Sequence, residues 1–334
     1  MDLRTRYMGL DLQHPIVASA SPLSEDVDNI RRMEDAGAAA VVMFSLFEEQ
    51  LKHEAAAMEY FMEHGTESFA EALSYFPEFD EYHAGSERYL ELLHSASQAV
   101  DIPVIGSLNG ITNQGWIDYA KNMEEAGASG IELNIYYIPA DTTLSGQEVE
   151  QRYVEILKRV KASVSIPVAL KLSAYFSSFG HLAKQLDDAG ADALVLFNRL
   201  WQPDFDIERL EILHSLHLSN ANQIRLRLLW IALLYGRIKA SLAATTGVQT
   251  HIEVIKYLMA GADAVMTTSA LLKNGIEFLT VLRDGLTEWM EQKGYSSVAQ
   301  MKGSMSQRNV ADPTAFERAN YIKILERYKS PYVI

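Results

Sequence analysis

Leu186-Asp-Asp-Ala-Gly-Ala-Asp-Ala-Leu-Val-Leu-Phe-Asn198 is the stretch that decides the fold. A polar helical run ends at Ala-Gly-Ala, and an apolar strand follows at once. The glycine stands where a helix takes its left-handed C-terminal residue. The apolar run after it does not alternate, so it reads as a strand buried on both faces. The same phrase recurs as MEDAGAAAVVMF (Met33 to Phe44), MEEAGASGIELN (Met123 to Asn134) and LMAGADAVMTT (Leu258 to Thr268). The repeated unit is helix into strand, which belongs to a parallel sheet. In a parallel α/β barrel the chemistry lies just past the C-terminal ends of the strands. Asn134, Asn198 and Thr267-Thr268-Ser269 end these strands and are the first candidates.

A second phrase marks further strands. Asp101-Ile-Pro-Val-Ile-Gly-Ser-Leu-Asn109 and Ser165-Ile-Pro-Val-Ala-Leu-Lys-Leu172 each carry a proline at the strand entrance, where a missing N–H costs little. His14 to Pro22 supplies the first core strand, and Arg237 to Gly247 another. Strands are predicted to begin near residues 15, 40, 103, 130, 167, 193, 238 and 264. Eight strands alternating with helices make a closed (β/α)8 barrel, an α/β TIM barrel. Long insertions follow strands 2 and 6, over residues 45–90 and 199–236, and are expected above the mouth. The first holds Tyr60, Phe61, Phe69, Tyr75, Phe76, Phe79 and Tyr82; the second holds Trp201, Pro203 and Trp230. Local packing accounts for most of these aromatics, with one or two lining a pocket as the sharper alternative. Residues 1–310 are read as one barrel. Residues 311–334 are read as a helical extension packing on the barrel or a partner, with Asp312 as N-cap and Pro313 at the first helical position.

The chain has 334 residues, 48% hydrophobic and 22% charged, a globular composition large enough for one such barrel. Its formal net charge of −15 disfavours nucleic acid and anionic membranes as partners, while allowing a local basic pocket. The absence of cysteine excludes disulfides, thiolate metal sites and a cysteine nucleophile. The N-terminal residues lack the apolar core of a signal peptide, and no stretch has the roughly 20 apolar residues of a membrane span. The expectation is a soluble cytoplasmic protein, a homo-oligomer such as a dimer, acting on a small molecule. His214 and His217 lie three apart without a third ligand, so no metal site is predicted. No dinucleotide fingerprint, Walker loop or serine-hydrolase elbow is present.

Lys171 ends a Val-Ala-Leu strand and should point into the mouth. Alternatives for it are solvent, a carboxylate partner, or the imine-forming amine of an aldolase-type lyase. Thr246-Gly247 and Thr267-Thr268-Ser269 close strands 7 and 8, the phosphate-binding corner of such barrels; small residues there expose backbone N–H groups and hydroxyls add donors. Tight helix–strand packing is the alternative. Asn109, ending strand 3, is either a companion of Asn134 and Asn198 or a buried amide serving a neighbouring loop.

Taken in order, these residues resemble the FMN-dependent dihydroorotate dehydrogenase family, including the related domain of dihydropyrimidine dehydrogenase. The resemblance spans most of residues 9 to 295. Its carriers are Gly9-Leu-x-x-x-His-Pro-Ile-Val-Ala-Ser-Ala-Ser-Pro22, Ile131-Glu-Leu-Asn134, Val168-Ala-Leu-Lys171-Leu, Asn198, Thr246-Gly247 and Met266-Thr-Thr-Ser-Ala-Leu271. It implies an FMN cofactor with Lys171 beside the flavin N1/O2 edge, where a cation stabilises the reduced ring. It also implies Ala18, Ser19 and Ala20 as small residues under the ring, and Asn134 and Asn198 as amides on flavin or substrate. Phosphate falls to Thr246-Gly247, where most members have two glycines, and to Thr267, Thr268 and Ser269.

The chain departs from the family where the substrate is handled. After Leu133-Asn134 the family carries a cysteine or serine base; here the sequence is Ile-Tyr136-Tyr137-Ile-Pro139. Tyrosine, with a reference pKa of about 10, is a poor base at neutral pH and a competent acid. The old yellow enzyme family uses a tyrosine as proton donor, an analogy of role. The family's lysine after strand 2 is replaced within Val41-Val-Met-Phe44-Ser45, and residues 51–100 contain none of the asparagine of its Asn-x-x-Gly loop. Arg199 adds a charge after Asn198. The expected protein is an FMN oxidoreductase acting on CH–CH or activated C=C groups rather than dihydroorotate. Tyr136 or Tyr137 would supply a proton and Arg199 would engage an anionic group. A catalytically silent flavin-binding module and a flavin-free lyase using Lys171 are the alternatives.

Overall fold

Each Ala-Gly-Ala phrase closes its helix with the same hydrogen bond. The residue after the glycine donates its N–H five residues back: Ala38 to Met33, Ala128 to Met123, Ala191 to Leu186 and Ala262 to Tyr257, at 2.8–3.0 Å. This is the six-to-one closure of a helix whose terminal glycine has positive φ, here +85 to +124°. The computed structural model describes residues 1–47, 85–110, 113–200, 202–213, 215, 217–317, 321, 325 and 326.

The strands are β1 (Ile16–Ala18), β2 (Val41–Phe47), β3 (Val104–Asn109), β4 (Gly130–Asn134), β5 (Val168–Leu172), β6 (Ala193–Leu196), β7 (Ser241–Ala244) and β8 (Ala264–Thr267). All are parallel and form a closed barrel, β8 returning to β1 through Met266 opposite Val17. The predicted α/β (β/α)8 barrel is the observed fold. Among the helices between strands are α1 (Val27–Asp35), α2 (Gly85–Ala99), α3 (Asn113–Glu125), α4 (Gly146–Ser163), α5 (Phe179–Asp188), α6 (Arg225–Leu234) and α7 (His251–Ala260). After β8 come α8 (Ser269–Asn274) and α9 (Phe278–Lys293). The seventh strand begins at Ser241, not near 238. The N–H groups of Lys239 and Ala240 both donate to the Asp187 carboxylate at 2.8 Å, so these residues form a turn before the ladder starts.

Strand alternation divides the core in two. Outward residues such as Ile131, Leu133, Leu170 and Leu194 pack against the helices. Inward positions are small, including Ala169, Ala193, Ala243 and Ala264, and they pack around Tyr7, Met8 and Leu12. Those three come from a hairpin, Thr5–Tyr7 paired with Leu10–Leu12, that precedes β1. Its turn, Met8-Gly9, has φ of +43° and +87°, the double left-handed geometry of a two-residue hairpin. Met8 N–H donates to the Ser241 hydroxyl and the Thr5 hydroxyl to the Asp263 carbonyl, both at strand entrances. The hairpin therefore stops the barrel at its base.

After β2, residues 48–84 lie outside the described residues, and with them the seven aromatics from Tyr60 to Tyr82; Trp201 and His214 do too. In the second insertion, Asp204–Asp206 pairs antiparallel with Glu211–Leu213. Trp230 packs edge-on against Phe179 of α5, with centroids 5.0 Å apart, in the helix layer. At the C-terminus Asp312 caps Thr314 and a single 3-10 turn follows over Pro313–Phe316; of the rest, only Tyr321, Leu325 and Glu326 are described. Among the described residues no helix is long and apolar enough to cross a membrane.

Candidate functional site

Because Ile131 and Leu133 face the helices, Glu132 and Asn134 face inward; by the same alternation Lys171 shares the inward face of Ala169. Register sets Asn134 opposite Lys171. One level below, Glu132 Oε1 lies 3.1 Å from Lys171 Nζ, the two residues only 1% and 8% exposed. The other carboxylate oxygen of Glu132 is buried and meets no donor among the described residues. Across the mouth, the Asn198 amide donates to Asn134 Oδ1 at 2.7 Å, bridging the ends of β4 and β6.

A cavity of about 140 Å³ opens above Lys171 between the ends of β6, β7, β8 and β1. Of the predicted residues it brings together Ser19, Ala20, Lys171, Asn198, Arg199, Thr246, Gly247, Thr267, Thr268 and Ser269, and among the described residues no carboxylate lines it. Thr246 holds φ +79° and Gly247 φ +81°. A left-handed conformation costs an L residue about 1–2 kcal/mol, and here the Thr246 side chain is anchored by its hydroxyl, which donates to the Phe197 carbonyl at 3.1 Å. Thr267 and Thr268 likewise donate to the carbonyls of Val248 and Ser19. These three hydroxyls brace strand ends. At Gly247 a β-carbon would stand 2.7 Å from Ile224 and 2.9 Å from the Asn220 carbonyl, so the glycine is fixed by packing.

Ser219 was not singled out from sequence and lies at the centre of this corner. The Gly247 N–H donates to its hydroxyl at 3.1 Å, and that hydroxyl donates to Ser269 Oγ at 2.9 Å. Ser269 also accepts the Ser219 N–H, which leaves its own proton for another acceptor. The one local signal for Ser219 is the Asn220-x-x-Gln223 capping box that follows it. Arg199 donates to the His217 carbonyl at 2.6 Å, and Lys273 reaches Gln249 at 3.1 Å. Arg227 donates to the Gln223 carbonyl, and burial lowers its guanidinium below the ordinary value. Positive charge thus surrounds this corner of an acidic chain.

The remaining predicted residues lie outside the cavity lining. Ala18 is buried within β1, and Asn109 is buried at the end of β3. Tyr137 packs against the helix layer with the Arg152 guanidinium 4.6 Å above its ring; Tyr136 is 37% exposed. Near the end of β2, Phe44 meets Tyr89 edge-on at 4.9 Å, an aromatic wall where the family resemblance implies a lysine. Among the described residues no group of three or more histidines and carboxylates could hold a metal ion.

A sequence profile of the family described as dihydroorotate dehydrogenase matches residues 79–290. The catalytic subunits of dihydroorotate dehydrogenase B (NAD(+)) from Thermoplasma acidophilum and Methanocaldococcus jannaschii are each 24% identical to this chain. Those alignments cover 308 and 306 residues, 90% and 87% of this chain and 98% and 94% of the relatives. The corresponding subunit from Shouchella clausii is 27% identical over 208 residues, 61% of this chain and 68% of its own length.

Proposed function

Because this chain belongs to the dihydroorotate dehydrogenase family, we propose that it holds FMN above Lys171 and is an oxidoreductase for an activated C=C or CH–CH substrate other than dihydroorotate. The observation that carries the reading is the cavity itself. Two cations, Lys171 and Arg199, share it with hydroxyls and the Asn198 amide, and among the described residues no carboxylate lines it. That donor set fits an anionic, acceptor-rich group such as a phosphorylated flavin. Ser19 and Ala20 keep one wall low, and the Ser269 hydroxyl, which accepts from Ser219, has its own proton to give to a phosphate.

Bound FMN would supply a ring that accepts or returns a hydride, two electrons at a time. Lys171 contributes a fixed positive charge at the cavity floor, already in place before any charge develops. The Asn134–Asn198 bridge holds two amides rigidly at the mouth. Tyr136, 37% exposed and close after Asn134, is the tyrosine assigned as proton donor, since Tyr137 stacks under Arg152 of α4. Arg199 engages an anionic group of the substrate. The absence of cysteine and the aromatic Phe44–Tyr89 wall argue against dihydroorotate itself. A dimer is the proposed assembly, with residues 311–334 as an extension outside the barrel.

The visible spectrum of the purified protein, followed by acid release of the chromophore, tests the cofactor. FMN should be present or be taken up at one per chain. A colourless protein that takes up none would remove this reading and favour the lyase, which borohydride trapping of a carbonyl substrate on Lys171 would identify. In anaerobic stopped-flow, dihydroorotate should leave the flavin oxidised, and an enone or fumarate-like acceptor should reoxidise reduced protein. Bleaching by dihydroorotate would overturn the substrate assignment. Full FMN with no turnover on any acceptor would leave a flavin-binding module.

A further inference from the structure

Glu132 is the buried charge that the proposed reaction leaves unused. It sits inside the barrel between the Tyr7 plug and Lys171, 1% exposed, with one oxygen on the Lys171 ammonium and the other without a donor among the described residues. Nothing in stability requires a carboxylate here. A buried ion pair is generally no better than well-packed apolar residues, and an unmatched buried oxygen makes it worse. Its position is specific, however. Strand register puts Glu132 on β4 opposite Ala169, one inward step below Lys171 on β5, so it reaches the ammonium from beneath and leaves the upper side of the nitrogen to the cavity.

We infer that Glu132 is a positioning residue that aims the Lys171 ammonium at the cavity and offsets part of its charge. It thereby sets how strongly a bound flavin is biased toward its reduced form. The flavin part of this inference rests on the cofactor reading above. An isolated ammonium beneath the ring would favour the reduced state by its full charge. A carboxylate behind it subtracts from that field, because in a site of low dielectric both charges act at short range. The pair would hold a flavin that is reducible yet still passes its electrons on.

The Glu132→Gln variant keeps the size and one acceptor oxygen, removes the negative charge and supplies an N–H₂ group at the unmatched position. With FMN content equal to wild type, it should shift the oxidised-to-reduced equilibrium toward reduced flavin by about tenfold, or about 30 mV for a two-electron couple. The shift is read by titration against a redox dye. Lys171 should at the same time be acylated several-fold faster by a pulse of acetic anhydride, scored by peptide mass, because its carboxylate partner is gone. Glu132→Asp keeps the charge but withdraws it by one methylene, and should shift both readouts in the same direction by less. It decides the matter if the glutamine variant fails to fold. Variants with full FMN, unchanged redox equilibrium and unchanged acylation would overturn the inference and leave Glu132 as filling. If the wild type takes up no FMN, the cofactor reading fails separately, and the acylation comparison alone tests whether Glu132 governs Lys171.

Discussion

Tyr136 and Tyr137 are neighbours in sequence with opposite surroundings. Tyr137 lies under Arg152 against α4, whereas Tyr136, two residues beyond Asn134 at the end of β4, is 37% exposed. A general acid contributes about 10²–10⁴-fold. Tyr136→Phe should therefore slow reoxidation of reduced protein by an enone by at least about 10²-fold, while Tyr137→Phe leaves that rate within a few-fold. Single-turnover stopped-flow measures both, and equal losses would refute the assignment. The inward placement of Lys171 was legible in the sequence because a charge ending an apolar strand points to the mouth, and the carboxylate partner weighed as an alternative is present as well. Glu132 was not, because its meaning depends on a partner 39 residues away on another strand, joined only by barrel register. The different surroundings of the two tyrosines were illegible for a similar reason: Arg152, which covers Tyr137, belongs to a different element.

At the scale of elements, the repeated phrase does two jobs, and only one shows in its spelling. The glycine ends the helix, which the recurrence made plain. The acid before it reaches sideways. Glu34 accepts the N–H groups of Asp101 and Ile102 at the entrance to β3, Glu124 those of Ser165 and Ile166 before β5, and Asp187 those of Lys239 and Ala240 before β7. Each helix thus fastens the strand after the one it feeds. Replacing any of these acids by alanine should cost about 1–2 kcal/mol in urea unfolding, since two backbone donors lose their acceptor. The Ser165 hydroxyl, then the two N–H groups, hold the Glu124 carboxyl below its ordinary value of 4.5. A depressed carboxylate stabilises the fold above its unfolded pKa, so Glu124's share is complete at neutral pH and vanishes as pH falls below 4.5. Glu124→Gln should weaken that acid dependence. The capping glycines differ in a way sequence hides. A β-carbon at Gly190 meets nothing within 4 Å, whereas at Gly261 it comes within 2.4 Å of the Tyr235 ring. Gly190→Ala should cost about 1 kcal/mol, the left-handed penalty alone. Gly261→Ala should cost clearly more, as denaturation midpoints of the two variants would show.

For the whole molecule, the base is where distant parts of the chain meet, and its stability is pH-dependent. His14, just before β1, accepts the Ile16 N–H on Nδ1 and is 6% exposed. Burial is the main cause that pulls its pKa from 6.5 down to about 4. The unfolded chain therefore binds a proton that the folded one refuses. Stability is complete above 6.5 and falls as pH drops from 6.5 toward 4, by on the order of 3 kcal/mol in all. His14→Asn, which retains an acceptor for Ile16, should flatten that slope in urea titrations between pH 4 and 7. The eight strands were legible because alternating phrases count themselves, whereas the base hairpin was not. Its strands are three residues long, and its Met8-Gly9 turn lacks the Asn-Gly or Asp-Gly spelling of such turns. That hairpin closes the barrel at its base. Among the described residues Tyr7, Met8 and Leu12 fill the bottom, and the cavity at Lys171 lies toward the mouth. Under the proposed oxidoreductase reading, two reactants drawn to that cavity would have to take turns. The first would depart by the door through which the second comes, so partners would alternate rather than gather.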